Sequence, residues 1–279
     1  MSLFIASLNS GSNGNCYYIG NATEAVLVDA GLSCRETERR MQRMGLNMDR
    51  VKAIFVSHEH TDHISGINSI CKKYEVPVYI TPATIKNSRV YIDKHLIVPF
   101  DANEPVTIGG LTIKAFQKFH DADDPHSFIV QGNAVTIGVF TDLGVVCDSL
   151  VQHFQQCHAA FLEANYDEEM LANGGYPYFL KRRITGGLGH LSNATALDLF
   201  TNHRPGFMSH LILSHLSRNN NCPKLVHQLF SQEAGVTEVI VASRDVETGV
   251  FEVKVCNQSQ AVAGKQNRKL AKAMQMAMF

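Results

Sequence analysis

The stretch Ser57-His58-Glu59-His60-Thr61-Asp62-His63-Ile64-Ser65-Gly66 places three imidazoles and the carboxylate of Asp62 within six consecutive positions. The residues before it, Val51–Val56, form an apolar run with strand character, and those after it, from Ile64 to Lys73, can form a helix. We therefore expect the polar side chains on a turn at the end of a strand.

This turn has the composition of a metal site. On extended backbone His58 and His60 point to the same side, and the tighter turn brings Asp62 and His63 in from another direction. Neutral imidazole and carboxylate are ligands that zinc, iron and manganese accept. A single His-x-His pair is weak evidence, because paired histidines are common on surfaces and in cores. Four ligand-type residues in six positions predict a metal centre.

The composition is typical of a soluble, well-packed enzyme. The chain has 279 residues, of which 45% are hydrophobic and 18% charged, and this length fits one large domain. No uninterrupted apolar run reaches the roughly 18 residues of a membrane span, and the N-terminus lacks the basic region of a signal peptide. The seven cysteines are scattered without a Cys-x-x-Cys pair, which favours reduced thiols in a cytoplasmic protein.

Short strands and helices alternate along the chain. The expected strands are Leu3–Asn9, Cys16–Gly20, Ala25–Asp29, Val51–Val56, Val76–Thr81, Leu96–Phe100, Val106–Ile108, Leu111–Phe116, Phe128–Val130, Val135–Phe140, Ala159–Glu163, Leu211–Ser214, Val239–Val241 and Phe251–Val255. The expected helices are Ser33–Met44, Ile64–Lys73, Cys147–Gln156, Asn193–His203 and Pro223–Ala234. Gly109-Gly110 and Gly132-Asn133 indicate hairpins. The pattern fits two sheets covered by helices, although other α/β arrangements are compatible with it. We expect one domain over residues 1–257 and a tail at 258–279 that can be helical.

The net charge of −1 bears on the class of substrate. Proteins that hold duplex nucleic acid through many phosphate contacts are usually basic on one face. The candidates for such a face are Lys181-Arg182-Arg183, Arg218 and four basic residues of the tail, and a run of charge is more often a solvated helix face. Wide duplex binding is not indicated, whereas binding of a few nucleotides beside a metal centre remains compatible with this charge.

His-x-His-x-Asp-His after an apolar strand resembles the signature of the metallo-β-lactamase superfamily. Further motifs of that superfamily follow the expected order, from Asp29 in Val26–Gly31 through His120, Asp142 in Phe140–Gly144 and His190 to His215. The resemblance runs from about residue 1 to residue 255 and implies a four-layer αββα sandwich in the α/β class.

Finer details are similar to the YycJ/WalJ group of this superfamily, a bacterial branch associated with nuclease activity on DNA. They are the turn Ser10–Asn15, the run from His120 to Pro125, and the segment His215–Asn221.

The resemblance implies two adjoining divalent metal ions, zinc or manganese, with iron also admissible. His58, His60 and His120 would hold the first, and Asp62, His63 and His215 the second. Asp142 would bridge them, since two cations about 3.5–4 Å apart need a shared anionic ligand. A water held between them has its pKa lowered towards ~7 and can act as a nucleophile.

Three residues are candidates for catalysis itself. Asp62 belongs to the metal motif. Gly189-His190-Leu191-Ser192 resembles the position at which phosphodiesterases of the RNase Z type keep a histidine that protonates the leaving oxygen, and Glu163 occupies the place of the carboxylate that orients it. Such a carboxylate fixes the tautomer of the imidazole and favours its charged form. The alternative is a histidine near a helix cap and a surface glutamate.

Polar loops next to these motifs are candidates for substrate binding. Arg218, Asn219 and Asn220 follow His215 directly and offer a guanidinium fork and amide donors to a phosphate. Ser12 and Asn13, in the first Gly-rich turn, are candidates to line the same cleft.

Three functions compete at this point. The first is a metal-dependent phosphodiesterase, an exonuclease acting on single-stranded DNA ends, with nucleic acid as its partner. The second is a small-molecule hydrolase (a thioesterase, lactonase or cyclic phosphodiesterase), and the third is a diiron redox or binding protein on the same scaffold. The paired His190 and Glu163 favour the first, because a phosphoryl leaving oxygen benefits from an acid. Asp142 follows His120 by 22 residues and precedes His190 by 48, too few for the tRNA-binding arm of RNase Z or the added domain of RNase J.

Overall fold

A computed structural model of the chain describes residues 2–255. The fourteen strands are β1 Leu3–Asn9, β2 Cys16–Gly20, β3 Ala25–Val28, β4 Val51–Phe55, β5 Val78–Tyr79, β6 Ile97–Val98, β7 Pro105–Ile108, β8 Leu111–Gln117, β9 His126–Gly132, β10 Val135–Phe140, β11 Ala159–Glu163, β12 His210–Ser214, β13 Glu238–Val241 and β14 Phe251–Val253. The α-helices of this part are α1 Cys34–Arg43, α2 Thr61–Ile64, α3 Ile67–Tyr74, α4 Pro82–Asn87, α5 Asp148–Phe154, α6 Glu168–Asn173, α7 Tyr178–Thr185, α8 Asn193–His203 and α9 Pro223–Glu233. Within these residues no helix combines the length and apolarity needed to cross a lipid bilayer.

The strands form two mixed sheets of seven. The first has the order β14-β1-β2-β3-β4-β5-β6, and the second has the order β13-β12-β11-β10-β9-β8-β7. In each sheet the strands near one edge pair in parallel, β3 to β6 in the first and β10 to β13 in the second. Parallel neighbours end at the same edge of a sheet, so the loops that follow them gather there.

Three apolar clusters define the layers. The middle one packs the two sheets face to face, with Phe55 of the first sheet against Phe128 of the second at 5.7 Å between ring centroids. The second cluster lies between the first sheet and helices α1 and α3, and the third between the second sheet and helices α5, α8 and α9. The fold is therefore the four-layer αββα sandwich that the resemblance implies.

Local sequence explains most element boundaries. Ser33 caps α1 by accepting a hydrogen bond from the N–H of Glu36, as a serine before a helix does. The hairpin between β7 and β8 turns at Gly109-Gly110, and Gly109 has φ +57°. The hairpin between β9 and β10 turns one residue later than expected, at Asn133-Ala134, where both residues have positive φ.

Some expectations differ from the structure. The helix expected over Ile64–Lys73 is divided, because α2 ends at Ile64 and α3 begins at Ile67. Gly66 lies between them, and a Cβ there would lie 1.7 Å from the carbonyl oxygen of Leu32. The sequence pattern does not predict helices α4, α6 and α7. The six described cysteines are free thiols. The expected C-terminal tail lies outside the described residues.

Candidate metal centre and active-site cleft

The carboxyl ends of β3, β4, β8, β10, β11 and β12 meet at one edge of the sandwich. Three residues just beyond these ends, Asp29, Asp142 and His215, have φ of +61°, +56° and +56°. A residue with a Cβ adopts this conformation only when the surrounding structure imposes it, and such strain is typical of functional sites. The backbone here bends to turn these three side chains inward.

The histidine-rich turn runs from β4 into α2. His58 follows the strand, His60 occupies the N-cap of α2, and Asp62 and His63 lie within its single turn. Nε2 of His58 lies 3.1 Å from Nδ1 of His60. Nε2 of His63 lies 3.5 Å from Oδ2 of Asp62. The turn thus presents two pairs of donor atoms, as its sequence predicts.

The second sheet brings three further side chains to this turn. Nε2 of His120, beyond β8, lies 3.4 Å from Nδ1 of His60. Nε2 of His215, beyond β12, lies 3.5 Å from Oδ2 of Asp62. The predicted ligands therefore form two groups whose ligand atoms lie within 4.8 Å of one another: His58, His60 and His120 in one, and Asp62, His63 and His215 in the other.

Asp142 lies between the two groups. Its Oδ2 is 3.3 Å from Nε2 of His63, and its Oδ1 is 3.5 Å from Nε2 of His215. The same Oδ1 is 3.8 Å from Nε2 of His120. One carboxylate thus faces both groups, which is the position a bridging ligand requires.

Hydrogen bonds on the outer side of the rings fix their orientation. Nδ1 of His63 lies 2.7 Å from Oδ2 of Asp29, and Nδ1 of His120 lies 3.1 Å from the carbonyl oxygen of Gly189. Nδ1 of His58 lies 2.8 Å from Oγ of Ser57. Because Asp29 and the Gly189 carbonyl only accept, the Nδ1 atoms of His63 and His120 carry the proton, and Nε2 is left to face inward.

Charge is concentrated in this buried cluster. Burial alone would raise the pKa of Asp62, but the charges of His63 and His215 lower it to about 2. Burial would lower the pKa of His215, but the carboxylates of Asp142, Asp62 and Glu163 hold it well above its ordinary value. Burial lowers the pKa of His120 to about 4. The carboxylates therefore favour the positively charged form of His215, whereas burial disfavours the charged form of His120.

The donor set fits divalent cations. Oδ2 of Asp142 and Nε2 of His215 are buried and have no hydrogen-bond partner within residues 2–255. Leaving buried polar atoms unpaired costs about 1–3 kcal/mol each, and a cation bound between them would satisfy both. Imidazole nitrogen with carboxylate oxygen suits zinc and manganese alike. The residues present are therefore suited to a metal centre.

His190 lies beside this cluster and is held by Glu163. Nδ1 of His190 is 2.7 Å from Oε1 of Glu163, and the same oxygen is 3.1 Å from Nδ1 of His215. Oε2 of Glu163 accepts hydrogen bonds from the N–H groups of Leu143 and Leu191. Glu163 is fully buried, whereas the side chain of His190 is 21% exposed. His190 and Glu163 therefore lie next to each other, as the resemblance implies. The alternative, a glutamate on the surface, does not describe Glu163, which is buried.

A further group of donor atoms consists of Asp142, Glu163, His190 and His215. It is less suited to a metal ion than the two groups above. Both oxygens of Glu163 already accept hydrogen bonds, and Nδ1 of His190 is one of their donors. A cation there would have to displace these partners.

The cluster opens into a cleft of about 880 Å³. Of the predicted substrate-binding residues, Ser12 lines this cleft, and Arg218, Asn219, Asn220 and Asn13 are not among the residues that line it. The side chain of Asn220 is buried and lies 3.4 Å from Oγ of Ser217, and the amide of Asn13 donates to the carbonyl oxygen of Arg244. These side chains stabilise the loops around the cleft.

Sequence reasoning overlooked Asn165 and Lys118 of this centre, whereas Asn15 belongs to the Gly-rich turn expected to line the cleft. The amide nitrogen of Asn15 lies 3.1 Å from Oδ2 of Asp62, and that of Asn165 donates to the carbonyl oxygen of His215. The buried ammonium of Lys118 donates to the carbonyl oxygen of Thr141, 2.7 Å away. The Gly-rich turn that contains Asn15 indicates its place beside the centre. No sequence pattern indicates that Lys118 is buried, since a lysine near a strand end is ordinarily exposed.

Comparison with known proteins agrees with this geometry. The family model of the beta-lactamase superfamily domain matches residues 24–216. The chain belongs to the metallo-β-lactamase superfamily. With the donor cluster described above, this membership makes it a metal-dependent hydrolase.

Two relatives are similar over nearly their whole length. Exodeoxyribonuclease YycJ of Bacillus anthracis is 35% identical over 237 residues, which are 83% of this chain and 89% of the relative. Exodeoxyribonuclease WalJ of Streptococcus pneumoniae is 30% identical over 259 residues, 88% of this chain and 96% of the relative. The solved structure of the metallo-beta-lactamase fold protein YhfI from Bacillus subtilis covers 90% of this chain and 100% of its own, with a TM-score of 0.71 at 16% identity, and supports the fold alone.

Proposed function

We propose that this protein is a dinuclear metal-dependent exonuclease that hydrolyses phosphodiester bonds at the ends of single-stranded DNA. The proposal rests on the position of His190. This residue lines an open cleft, lies next to Asp142 and is hydrogen-bonded to the buried Glu163. A general acid at this point serves a reaction whose leaving group is an alkoxide oxygen. A thiolate leaving group hardly needs one.

In this proposal the two groups of donor atoms each hold one divalent cation. His58, His60 and His120 would form the first site, and Asp62, His63 and His215 the second, with Asp142 shared between them. When bound, two such cations supply an activated water and neutralise charge on a phosphodiester. Zinc and manganese both suit this set of ligands.

The chain's own residues would supply the remaining chemistry. Because Nδ1 of His190 donates to Glu163, Nε2 is the ring nitrogen left for the substrate. A proton held there would pass to the leaving oxygen as the phosphorus–oxygen bond breaks. Glu163 acts as a positioning residue, since it fixes the ring without touching the substrate. Asp62, whose side chain is 21% exposed in the cleft, would hold a cation next to the scissile phosphate.

The choice of DNA rests on the similarity to YycJ and WalJ, whose names describe them as exodeoxyribonucleases. The near-neutral charge of the chain supports binding at ends and single strands in place of wide duplex contact. Attack from the 5′ end follows from the resemblance to this group. Of the substrate-binding residues expected from the sequence, Ser12 lines the cleft.

The test is a panel of 5′- and 3′-labelled substrates, comprising single-stranded DNA, duplex DNA and RNA, incubated with manganese or zinc. We expect single-stranded DNA to be shortened fastest, from its 5′ end. Asp62→Ala serves as the inactive control, and Asp101→Ala, at an exposed position, serves as the matched active one. Inactivity on every nucleic acid, together with rapid hydrolysis of a thioester or lactone, would show a small-molecule hydrolase instead.

A further inference from the structure

Lys118 is the one lysine that is buried within residues 2–255. It directly follows β8 and precedes His120, a predicted ligand, by two residues. Its ammonium donates a hydrogen bond to the carbonyl oxygen of Thr141, 2.7 Å away, and in this part of the chain it forms no ion pair. Removing an ammonium from water is costly, and an apolar side chain of the same length would fill the place without that cost. A lysine here therefore serves something other than packing.

The hydrogen bond from Lys118 acts on the backbone of Asp142. The carbonyl of Thr141 and the N–H of Asp142 belong to one planar peptide group, so a bond that fixes the carbonyl orients the whole plane. Asp142 has φ +56°, a conformation that a residue with a Cβ adopts only when its surroundings impose it. The ammonium supplies a constraint at the peptide group from which this residue projects.

Other bonds hold the rest of the turn after β10. The N–H of Gly144 donates to the carbonyl oxygen of Phe119, 2.6 Å away. On the other side, the N–H of Leu143 donates to Oε2 of Glu163. These bonds fix the later half of the turn, whereas Lys118 fixes its first peptide group.

The charge of the ammonium also acts on the centre. Burial lowers the pKa of Lys118, and the carboxylate of Asp142 is the largest influence that opposes this decrease, ahead of Asp29, Glu163 and Asp62. The lysine and the shared carboxylate therefore attract each other as well as being joined through the backbone.

We propose that Lys118 is a positioning residue for the metal centre, which holds the peptide group before Asp142 and thereby keeps the shared carboxylate between the two groups of donor atoms. Lys118 and His120 belong to the segment after β8, and Asp142 to the segment after β10, so this one bond fixes the two segments against each other. The inference rests on the dinuclear centre of the proposed function and is independent of the substrate.

The charge and the hydrogen bond of Lys118 affect metal binding in opposite directions. A positive charge near two cation sites repels cations, so removal of the charge alone would strengthen metal binding. Removal of the hydrogen bond frees the peptide group before Asp142, and a carboxylate that leaves its position weakens metal binding. The sign of the change shows which effect dominates, and the proposed role requires weaker binding.

Metal affinity of full-length variants tests the inference without a nucleic acid. Lys118→Met keeps the length of the side chain but removes both the donor and the charge. We expect chelator competition to give an affinity for manganese or zinc about 10- to 100-fold weaker than that of the unaltered protein. Lys114→Met removes a partly exposed lysine from the same strand and should leave the affinity unchanged.

A double-mutant cycle separates positioning from a general loss of structure. In Asp142→Ala no carboxylate is left to position, so the addition of Lys118→Met should not weaken binding of the remaining ion further. If Asp142→Ala retains no ion, a crystal structure of Lys118→Met decides, in which we expect the carboxylate of Asp142 to have moved away from His63 and His215. If Lys118→Met does not fold, Lys118→Gln, whose amide ends one bond short of the ammonium, takes its place in the same measurements.

The outcomes separate this inference from the proposed function. Unchanged or tighter metal binding by Lys118→Met would overturn the positioning role, even if the unaltered protein cleaves DNA. Equal weakening with and without Asp142, or a carboxylate that has not moved, would overturn it as well. An unaltered protein that shows the expected cycle but degrades no nucleic acid would refute the nuclease and leave the role of Lys118 standing.

Discussion

Oε1 of Glu163 lies 2.7 Å from Nδ1 of His190 and 3.1 Å from Nδ1 of His215, so one buried oxygen contacts both the candidate acid and a candidate metal ligand. The other oxygen accepts hydrogen bonds from Leu143 and Leu191. The carboxylate is thereby fixed by backbone groups and fixes two rings in turn. The orientation of the candidate acid and the geometry of the candidate metal centre are therefore coupled through this residue.

His190→Ala should keep the metal content and the fold but slow phosphodiester cleavage by about 10²–10⁴-fold, the range for a lost general acid. A nitrophenyl phosphodiester, whose leaving group needs no proton, should be affected much less. Single-turnover rates on both substrates, with metal analysis, provide the measurement. His227→Ala, at an exposed position on α9, is the control. Loss of metal in parallel with activity would place His190 among the ligands.

Glu163→Gln should impair both functions that the carboxylate connects. An amide in its place offers one acceptor where the carboxylate serves four donors, so His190 and His215 both lose orientation. We expect a lower kcat together with a metal affinity about 10- to 100-fold weaker, the usual effect of losing a partner behind a ligand. Chelator competition measures the second effect. A variant with normal metal affinity and reduced kcat would show that the contact to His215 is dispensable.

Asp142→Ala should strip at least one of two metal ions from the centre. Without this carboxylate, two cations would face each other with no anion to offset their repulsion. Elemental analysis of the purified variant against the unaltered protein, with Asp101→Ala as a matched exposed control, gives the stoichiometry. Retention of a full pair would refute the bridging role.

Asp29→Asn should weaken metal binding without removing a ligand. Asp29 accepts hydrogen bonds from the N–H and hydroxyl of Ser57 and holds Nδ1 of His63 at 2.7 Å. The amide leaves one oxygen for three donors, so the ring of His63 loses its fixed orientation. We expect metal affinity to fall by about 10- to 100-fold. Unchanged affinity in a chelator titration, with Asp49→Asn as control, would contradict this.

Gly31→Ala should destabilise the fold strongly. A Cβ at Gly31 would lie 1.8 Å from the carbonyl oxygen of Asp62 and 2.6 Å from the backbone nitrogen of Asn15, so the turn of α2 would have to move. We expect the free energy of unfolding to fall by about 3 kcal/mol or more. Gly206→Ala, where the added Cβ meets nothing within 4 Å, should change it little. Urea denaturation of both variants measures the difference, and equal stability would contradict the close packing at Gly31.

The pattern of apolar runs bounded by turn residues predicts two sheets covered by helices, and the resemblance to the superfamily adds the four-layer order. The motif from His58 to His63 predicts a metal centre at a strand end, and the resemblance supplies the remaining ligands. It does not predict the left-handed conformation of Asp142 and His215, which tertiary packing imposes. Nor does it predict that Asn220 is buried, because a polar loop after a strand is ordinarily exposed.

Helix α7 shows a second limit of sequence reasoning. Its residues, Tyr178–Thr185, place aromatic and basic side chains side by side, and none of them is buried. A helix is recognised in a sequence by the apolar stripe that it buries against a core. In α7 the apolar side chains face a cleft and the aromatic rings face solvent, so the apolar pattern that predicts a helix is weak. The position of this helix beside the cleft is seen only in the folded structure.

In the function proposed above, cleavage of DNA depends on the metal centre at the strand ends. The most direct measurement is a titration of chelator-treated protein with manganese or zinc, in which degradation of 5′-labelled single-stranded DNA is followed as metal is added. We expect no activity without metal and a rise in activity that saturates near two equivalents of metal per chain. Degradation that persists in chelator, or that remains absent at every metal concentration, would contradict the proposed function.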